Sequence, residues 1–112
     1  MNEPKRKWPY EIWGVECRDG WKKLYEPLVE ECRYLGVEIL QIKEKFGGLR
    51  FYISDKTTSA FKPFQTLRDH IDEAEHQSYK TCEECGEKGF LRTDRSWIKT
   101  LCNTHAEVYD GL

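Results

Sequence analysis

The sequence lacks several features that would place a protein in a specialised class. It has no apolar run near the roughly 20 residues that a membrane-spanning helix needs. Its first residues, MNEPKRKWPYEIW, contain no apolar stretch of the kind found in signal peptides. A charge excess is also missing, because 18 basic and 20 acidic residues give a net charge of -2. We therefore expect a soluble, cytoplasmic protein without a membrane partner, and the charge balance disfavours a general nucleic-acid coat.

The chain is too short for a large catalytic scaffold. Its 112 residues correspond to about one domain. A folded chain of this size buries only roughly 60 to 70% of the surface that its unfolded form exposes, so its core is modest and benefits from a covalent or metal crosslink. The five cysteines are an odd number, which disfavours a closed set of disulfides.

Four soft side chains fall into two closely spaced pairs. Cys82 and Cys85 lie in TCEECG, and Cys102 and His105 lie in LCNTH, which gives the pattern Cys-x2-Cys-x16-Cys-x2-His. Thiolate sulfur and imidazole nitrogen are the ligands of tetrahedral Zn²⁺ sites, and four protein ligands leave no position open for a substrate. The alternative is a chance grouping of four free side chains. The spacing predicts a structural zinc ion bound by these four residues.

The segment around the two pairs predicts a small zinc finger. Residues 90–93 and 97–101 read as two short strands joined by a turn. The run NTHAEVYDG reads as a short helix that Gly111 ends. A turn with the first ligand pair, a hairpin, and a helix with the second pair form a treble-clef finger. We expect it in residues 81–112, packed as one unit with an α+β domain in residues 1–80.

The α+β domain is expected to contain a helix, a β-hairpin and a second helix, after an irregular aromatic-rich arm in residues 1–20. Apolar residues at three- and four-residue steps predict the first helix, and they are Trp21, Leu24, Leu28, Cys32 and Leu35. Gly36 ends this helix, while Pro27 leaves open a start at that residue. The second helix is predicted from about Pro63, and it leads directly into the first ligand pair.

The hairpin is predicted in VEILQIKEKFGGLRFYIS, with Gly47 and Gly48 as a two-residue turn. In that register Lys45 faces Arg50. The core face then carries Leu40, Ile42, Phe46, Leu49, Phe51 and Ile53, and the opposite face carries Gln41, Lys43, Lys45, Arg50 and Tyr52. The basic face is either a solvated outer surface or a contact surface for an anion. Glu44 falls on the apolar face, where an unpaired charge is costly, so it is a candidate site residue or a member of an ion pair at the rim.

Several of these runs together resemble a family of small zinc-finger proteins encoded by bacteriophages and prophages. The runs are GWKKLYEPLVEEC, QIKEKFGGLRFYIS, IDEAEHQSYKTCEECG and SWIKTLCNTHAE, which cover most of the chain from Gly20 to Glu107. The resemblance implies a phage origin, a location in the cytoplasm of a bacterial host, and the four zinc ligands given above. It implies no particular biochemical activity, because the family is named for none.

Two binding functions are the leading hypotheses. A non-enzymatic accessory protein that binds a host protein, for instance to inhibit a defence or regulatory protein, would use the basic face or aromatic anchors. These anchors are Trp8, Tyr10, Trp13 and Trp97. A protein that sequesters a nucleotide signal would instead place Lys43, Lys45 and Arg50 on the phosphates and stack Tyr52 on the base.

Nucleic-acid binding and catalysis are less favoured hypotheses. A nucleic-acid-binding finger would use the basic residues Arg92, Arg95 and Lys99, although the finger as a whole is net acidic. An enzyme would need a nucleophile beside a base, and the spacing suggests no such pair among Cys17, Cys32, His70 and His76. Glu44 and Glu75 would be the alternative carboxylate couple.

Overall fold

The computed structural model describes residues 7–54 and 61–110. The elements in chain order are α1 (Pro9–Trp13), a 3-10 turn (Asp19–Trp21), α2 (Lys22–Leu35), β1 (Ile39–Lys45), β2 (Gly48–Ile53), α3 (Lys62–Ser78), β3 (Phe90–Arg92), β4 (Lys99–Leu101) and α4 (Asn103–Asp110). β1 pairs with β2 and β3 pairs with β4, both antiparallel. The expectation of a mixed α+β fold is therefore confirmed. Among the described residues, no helix is both long enough and apolar enough to cross a membrane.

The N-terminal arm is more regular than expected. Residues 9–13 form the short helix α1, with proline in its first turn, a position where the missing N–H is not needed. The Glu11 carboxylate accepts a hydrogen bond from the Trp8 backbone N–H at 2.7 Å and so fixes the start of the helix. The expectation of an irregular arm is wrong for these residues, while residues 1–6 and Gly111 lie outside the described part of the chain.

The main core lies between the hairpin β1–β2 and the helices α2 and α3. α2 begins at Lys22, continues through Pro27 and ends at Gly36 in a left-handed conformation with φ 72°, so the alternative start at the proline is excluded. The buried apolar residues of this core are Tyr10, Trp21, Tyr25, Leu28, Cys32, Val37, Ile39, Ile42, Leu49, Phe51, Leu67, Ile71 and Ala74.

The register of the first hairpin differs from the predicted one. Lys45 pairs with Gly48, and the turn residues are Phe46 and Gly47, with φ 53° and 85°. Gly48 lies in β2 and packs against Tyr79, which follows α3, and a methyl group at Gly48 would lie 2.3 Å from the Tyr79 ring carbon Cζ. This close approach explains the glycine at position 48, although the turn lies one residue earlier than the glycine pair suggests.

The register error leaves the two faces of the hairpin largely as predicted. Moving the turn by one residue shifts the strand pairing by two, and side chains that differ by two positions share a face. Ile42, Leu49 and Phe51 are accordingly buried in the core. Phe46 and Leu40 are the exceptions. Phe46 is 65% exposed in the turn, and Leu40 lies at a β-bulge outside the core cluster.

The outer edge of β2 is covered by side chains of α3. The hydroxyl of Ser78 accepts a hydrogen bond from the Leu49 N–H at 2.8 Å, and the carboxylate of Glu75 accepts one from the Phe51 N–H at 2.9 Å. Burial raises the pKa of Glu75, and the hydrogen bond from Phe51 opposes that rise. Glu75 thus accepts an otherwise unpaired N–H at the edge of the sheet.

The outer edge of β1 is covered by the segment between α1 and the 3-10 turn. The Glu16 N–H donates to the Ile42 carbonyl at 2.8 Å, and the Glu44 N–H donates to the Glu16 carbonyl at 3.1 Å. These two bonds form a parallel bridge between the segment and the strand. The backbone at Glu16 therefore pairs with the hairpin at this point, beside β1.

Residues 81–110, hereafter the C-terminal segment, dock on the rest of the chain through buried contacts. Trp21 is fully buried, and its indole N–H donates to the Thr81 carbonyl at 2.8 Å. The Gly20 N–H donates to the Glu83 carbonyl at 2.7 Å, and a methyl group at Gly20 would lie 2.2 Å from the Cys82 carbonyl oxygen. Glycine at position 20 therefore allows the two backbones to meet.

Candidate metal centre and neighbouring surfaces

The structure brings the four predicted metal ligands together. Cys82 and Cys85 lie in the turn between α3 and β3, Cys102 directly follows β4, and His105 lies in the first turn of α4. Their ligand atoms all lie within 4.8 Å of one another. The Cys85 and Cys102 sulfur atoms are 3.8 Å apart, and His105 Nδ1 lies 3.6 Å from the Cys82 sulfur and 3.2 Å from the Cys102 sulfur.

Backbone hydrogen bonds hold the two ligand pairs in this arrangement. In the first turn, the Cys82 N–H donates to the Glu87 carbonyl at 2.7 Å, and the Gly86 N–H donates to the Cys82 carbonyl at 2.8 Å. In the second, the Ala106 N–H donates to the Cys102 carbonyl at 2.9 Å. Three thiols and an imidazole at this separation can hold a metal ion.

The two remaining cysteines do not join this cluster. Burial raises the pKa of Cys32 to about 12. Burial, reinforced by the negative charge of Glu83, raises the pKa of Cys17 to about 12. Both thiols therefore stay protonated near neutral pH, which is the opposite of what a nucleophilic cysteine requires. His70 is held by Glu31, 2.8 Å from its Nδ1, in a link between α2 and α3.

Glu83 is a buried acidic residue of the turn that carries Cys82 and Cys85, and its role was not evident from the sequence. Its side chain is buried, with 2% of the residue exposed. Its carboxylate accepts a hydrogen bond from the Arg18 backbone N–H at 3.2 Å and lies 3.4 Å from the Lys99 ammonium. Burial raises its pKa, and Lys99 opposes that rise. The signal in the sequence was an acidic residue directly after the first ligand. The partners of its carboxylate, Arg18 and Lys99, are distant in sequence.

The candidate binding residues Trp13 and Tyr52 lie in the same groove. The groove has a volume of about 590 Å³ and is lined by Pro9, Trp13, Leu40, Gln41, Tyr52 and Ile53. Trp13 is 73% exposed and Tyr52 is 41% exposed. Two positions towards the turn, Lys43 pairs with Arg50, so two cations follow the aromatic groove on the same face of the ribbon.

The candidate residues nearest the turn have different surroundings. Glu44 accepts a hydrogen bond from the Gly47 N–H at 2.8 Å, so its carboxylate supports the turn. Lys45 is exposed, and its ammonium lies 5.6 Å from the centre of the Phe46 ring. The proposed carboxylate couple of Glu44 and Glu75 is not supported by these contacts, because each carboxylate accepts a backbone N–H from a different part of the hairpin.

Two of the proposed aromatic anchors have contacts within the fold. Tyr10 is buried, with 8% of its surface exposed, and its hydroxyl accepts a hydrogen bond from Arg33 at 3.0 Å. Trp8 is half-buried against the core, and the Arg33 guanidinium lies 5.8 Å from the centre of its ring. The exposed tryptophans that can meet a partner are Trp13 and Trp97.

The basic strip of the C-terminal segment is engaged within the segment itself. Arg92 donates hydrogen bonds to the Leu101 carbonyl and to Asn103. The Arg95 and Lys99 side chains are only 15% and 16% exposed, and they lie beside Asp94 and Glu83 respectively. These contacts leave little of the predicted cationic surface for a nucleic-acid backbone.

Comparisons with protein-family models, with curated proteins and with solved structures give no match for this chain in any of the three.

Proposed function

We propose that this chain is a zinc-binding, non-enzymatic accessory protein of a bacteriophage or prophage, which acts in the cytoplasm of the bacterial host by binding a host protein. The observation that carries the binding role is the groove that joins Trp13 and Tyr52 beside two cations. The Cys82, Cys85, Cys102 and His105 cluster supports the zinc. The phage origin is supported by the sequence resemblance alone.

The donor set supports a tetrahedral zinc ion. Bonds of about 2.3 Å to sulfur and 2.0 Å to nitrogen in a tetrahedron place neighbouring ligand atoms about 3.6 to 3.8 Å apart. The separations of 3.8 Å between Cys85 and Cys102 and of 3.6 Å between Cys82 and His105 agree with these values, and the separation of 3.2 Å between Cys102 and His105 is shorter. Four protein ligands imply a structural role, and the order of turn, hairpin and helix supports a treble-clef finger.

Native mass spectrometry of the untagged protein tests the zinc assignment. We expect one zinc ion per chain in the wild type and its loss in the Cys85→Ser variant. Cys17→Ser is the matched control, because Cys17 lies outside the cluster, and it should retain the ion. A metal-free wild-type protein purified from zinc-supplied cells would contradict the assignment.

The groove has the composition of a protein-binding site. Tryptophan and tyrosine contribute strongly at binding interfaces, and Trp13 exposes most of its surface instead of joining the core. Lys43 and Arg50 add positive charge next to the groove, which favours a partner with an acidic surface. An inhibitor of a host defence or regulatory protein would need such a surface and no catalytic group.

Pull-down from a bacterial lysate, followed by binding of the purified partner, tests this surface. Charge reversal at Lys43, Lys45 and Arg50, or Trp13→Ala with Tyr52→Ala, should abolish binding. Tyr34→Ala is the control, because Tyr34 is 89% exposed and lies on α2 outside the groove. If the charge-reversed and aromatic variants bound the partner as the wild type does, the surface assignment would be wrong.

A nucleotide-sequestering role is the second candidate, because the same groove offers two rings for a base and adjacent cations for phosphates. Its volume of about 590 Å³ lies within the range of small-molecule sites. Isothermal titration calorimetry with cyclic and linear nucleotides tests it. Heat release with one of them that is lost in Tyr52→Ala supports the role, and silence with the whole panel excludes it.

A further inference from the structure

The candidate metal centre is buried on one side and open on the other. Cys82 lies on the buried side, because 0% of its surface is exposed. Cys85 is exposed and Cys102 is half-buried. The sulfur atoms of these two residues lie 3.8 Å apart. Small solutes can therefore reach the open side of the centre, where two of its three cysteines are neighbours.

Close packing of the backbone explains why Cys82 is the protected ligand. A methyl group at Gly20 would lie 2.2 Å from the Cys82 carbonyl oxygen, and one at Gly89 would lie 2.7 Å from the Cys82 nitrogen. The next residue, Glu83, donates its N–H to the Thr100 carbonyl at 3.0 Å. The first cysteine of the turn is thus enclosed by other parts of the chain, whereas the second lies at the surface.

The two cysteines outside the centre are poor targets for an oxidant. Cys32 is buried and Cys17 is half-buried. Burial raises the pKa of both thiols to about 12, and a protonated thiol is a weak nucleophile. Cysteines that bind a metal ion do so as thiolates. The accessible thiolates of the described chain therefore lie in the metal centre, at Cys85 and Cys102.

We propose that Cys85 and Cys102 are an oxidation site, where a hydroperoxide converts the two thiolates into a disulfide and the zinc ion is released. This inference rests on the zinc assignment of the proposed function and does not involve the groove at Trp13. A disulfide bond is about 2.05 Å long, so sulfur atoms that start 3.8 Å apart reach bonding distance after a movement of less than about 2 Å.

The reaction balances with hydrogen peroxide as the oxidant. The Cys85 thiolate attacks one peroxide oxygen, the O–O bond breaks, and hydroxide leaves, so that Cys85 becomes a sulfenic acid. The Cys102 thiolate then attacks the Cys85 sulfur, the S–S bond forms, and the S–O bond breaks with loss of a second hydroxide. The two sulfur atoms lose two electrons in total, and solvent protonates both hydroxide ions to water. Cys82 and His105 remain as two ligands, which are too few for a structural zinc site.

Oxidation of this pair makes the metal-dependent stability of residues 81–110 sensitive to peroxide. Thiols are kept reduced in the cytoplasm, the proposed location of this chain, so the zinc-loaded form prevails there. Peroxide removes the ion, and reduction of the disulfide by a dithiol restores all four ligands. The pair therefore acts as a reversible switch between a zinc-loaded and a zinc-free chain.

Treatment of the reduced, zinc-loaded full chain with hydrogen peroxide tests the proposal. A chromogenic chelator follows zinc release, and peptide mass spectrometry without reduction maps the disulfide. We expect one zinc ion to be released for each disulfide formed between Cys85 and Cys102, and dithiothreitol with added zinc to restore the loaded form. Cys17→Ser is the matched control, because Cys17 lies outside the cluster, and it should release zinc as the wild type does.

A second variant separates oxidation from simple loss of the metal. Cys85→His keeps four sulfur and nitrogen ligands, a set that structural zinc sites use, but removes the exposed thiolate. We expect it to hold zinc without peroxide and to release the ion at least about tenfold more slowly in peroxide, since exposure and thiolate character control cysteine oxidation. Equally fast release from Cys85→His would contradict the proposal.

The wild-type protein alone also decides the question, even if Cys85→His binds no zinc. Zinc that stays bound in peroxide, or a disulfide between Cys82 and Cys85 in place of the expected one, overturns the oxidation site and leaves the zinc assignment intact. A reduced wild-type protein that contains no zinc refutes the zinc assignment and this inference with it.

Discussion

Removal of the metal is expected to destabilise the whole chain and not only the C-terminal segment. At least five hydrogen bonds join this segment to the rest of the protein. They run from Arg18 and Gly20 to Glu83, from Trp21 to Thr81, from Lys23 to Gly86, and from Thr100 to Gly47. At about 1 kcal/mol net for each bond, they contribute about 5 kcal/mol. Small domains have total stabilities of about 5 to 15 kcal/mol, so this contribution is a large fraction.

Hydrogen exchange measured by mass spectrometry, with and without a zinc chelator, is the appropriate assay. The amides of α2 and β2 should lose protection together with those of residues 81–110. Trp21→Phe keeps a buried ring but removes the donor to the Thr81 carbonyl, and it should weaken the coupling by about 1 to 3 kcal/mol. A chelated protein whose C-terminal segment exchanges freely, while α2 and β2 keep full protection, would refute this reasoning.

Three further predictions concern buried polar groups. Ser78→Ala should lower the free energy of unfolding, measured in urea, by about 1 to 3 kcal/mol, because it leaves the Leu49 N–H of β2 without its acceptor. An unchanged urea midpoint would show that the hydroxyl contributes nothing to stability. Burial raises the pKa of Glu75, so its native state binds the proton more tightly and wild-type stability falls as pH rises above the usual value of 4.5. The stability of Glu75→Gln relative to wild type should therefore increase as the pH rises from acidic to neutral. A stability difference between the two proteins that does not change with pH would contradict the raised pKa. Cys17 and Cys32, with pKa values raised to about 12, should react with iodoacetamide at pH 8 far more slowly in the native than in the unfolded protein, which peptide mass spectrometry can measure.

Features encoded by local spacing could be predicted from the sequence. The two-residue spacer within each pair was sufficient to identify the four ligands, which are Cys82, Cys85, Cys102 and His105. Their ligand atoms lie together in the structure. α2 and α3 followed from apolar residues at three- and four-residue steps. The two strands of the first hairpin followed from a paired glycine between apolar runs. Each signal lies within about 20 residues of chain, where geometry restricts the alternatives.

Features that depend on contacts between distant residues could not be predicted. The sequence offered two adjacent glycines for the hairpin turn, but Gly48 lies in β2 against Tyr79, which is 31 positions away in sequence. The pairing of Trp13 with Tyr52 in one groove likewise requires α1 to pack on β1. Glu83 was missed because Arg18 and Lys99, which surround its carboxylate, lie far from it in sequence.

The contacts along both edges of the first hairpin hinder strand pairing with another protein. An isolated two-stranded ribbon is only marginally stable, and its open edges invite other strands to pair with it. In the described chain, the backbone of Glu16 occupies part of the β1 edge, and Ser78 and Glu75 accept two N–H groups of β2. A peptide that adds as a strand would first have to displace these intramolecular partners. The same holds for amyloid-like growth, which begins with strand addition. At the first hairpin, binding through side chains on the faces and at the tip of the ribbon is therefore favoured over strand addition at its edges.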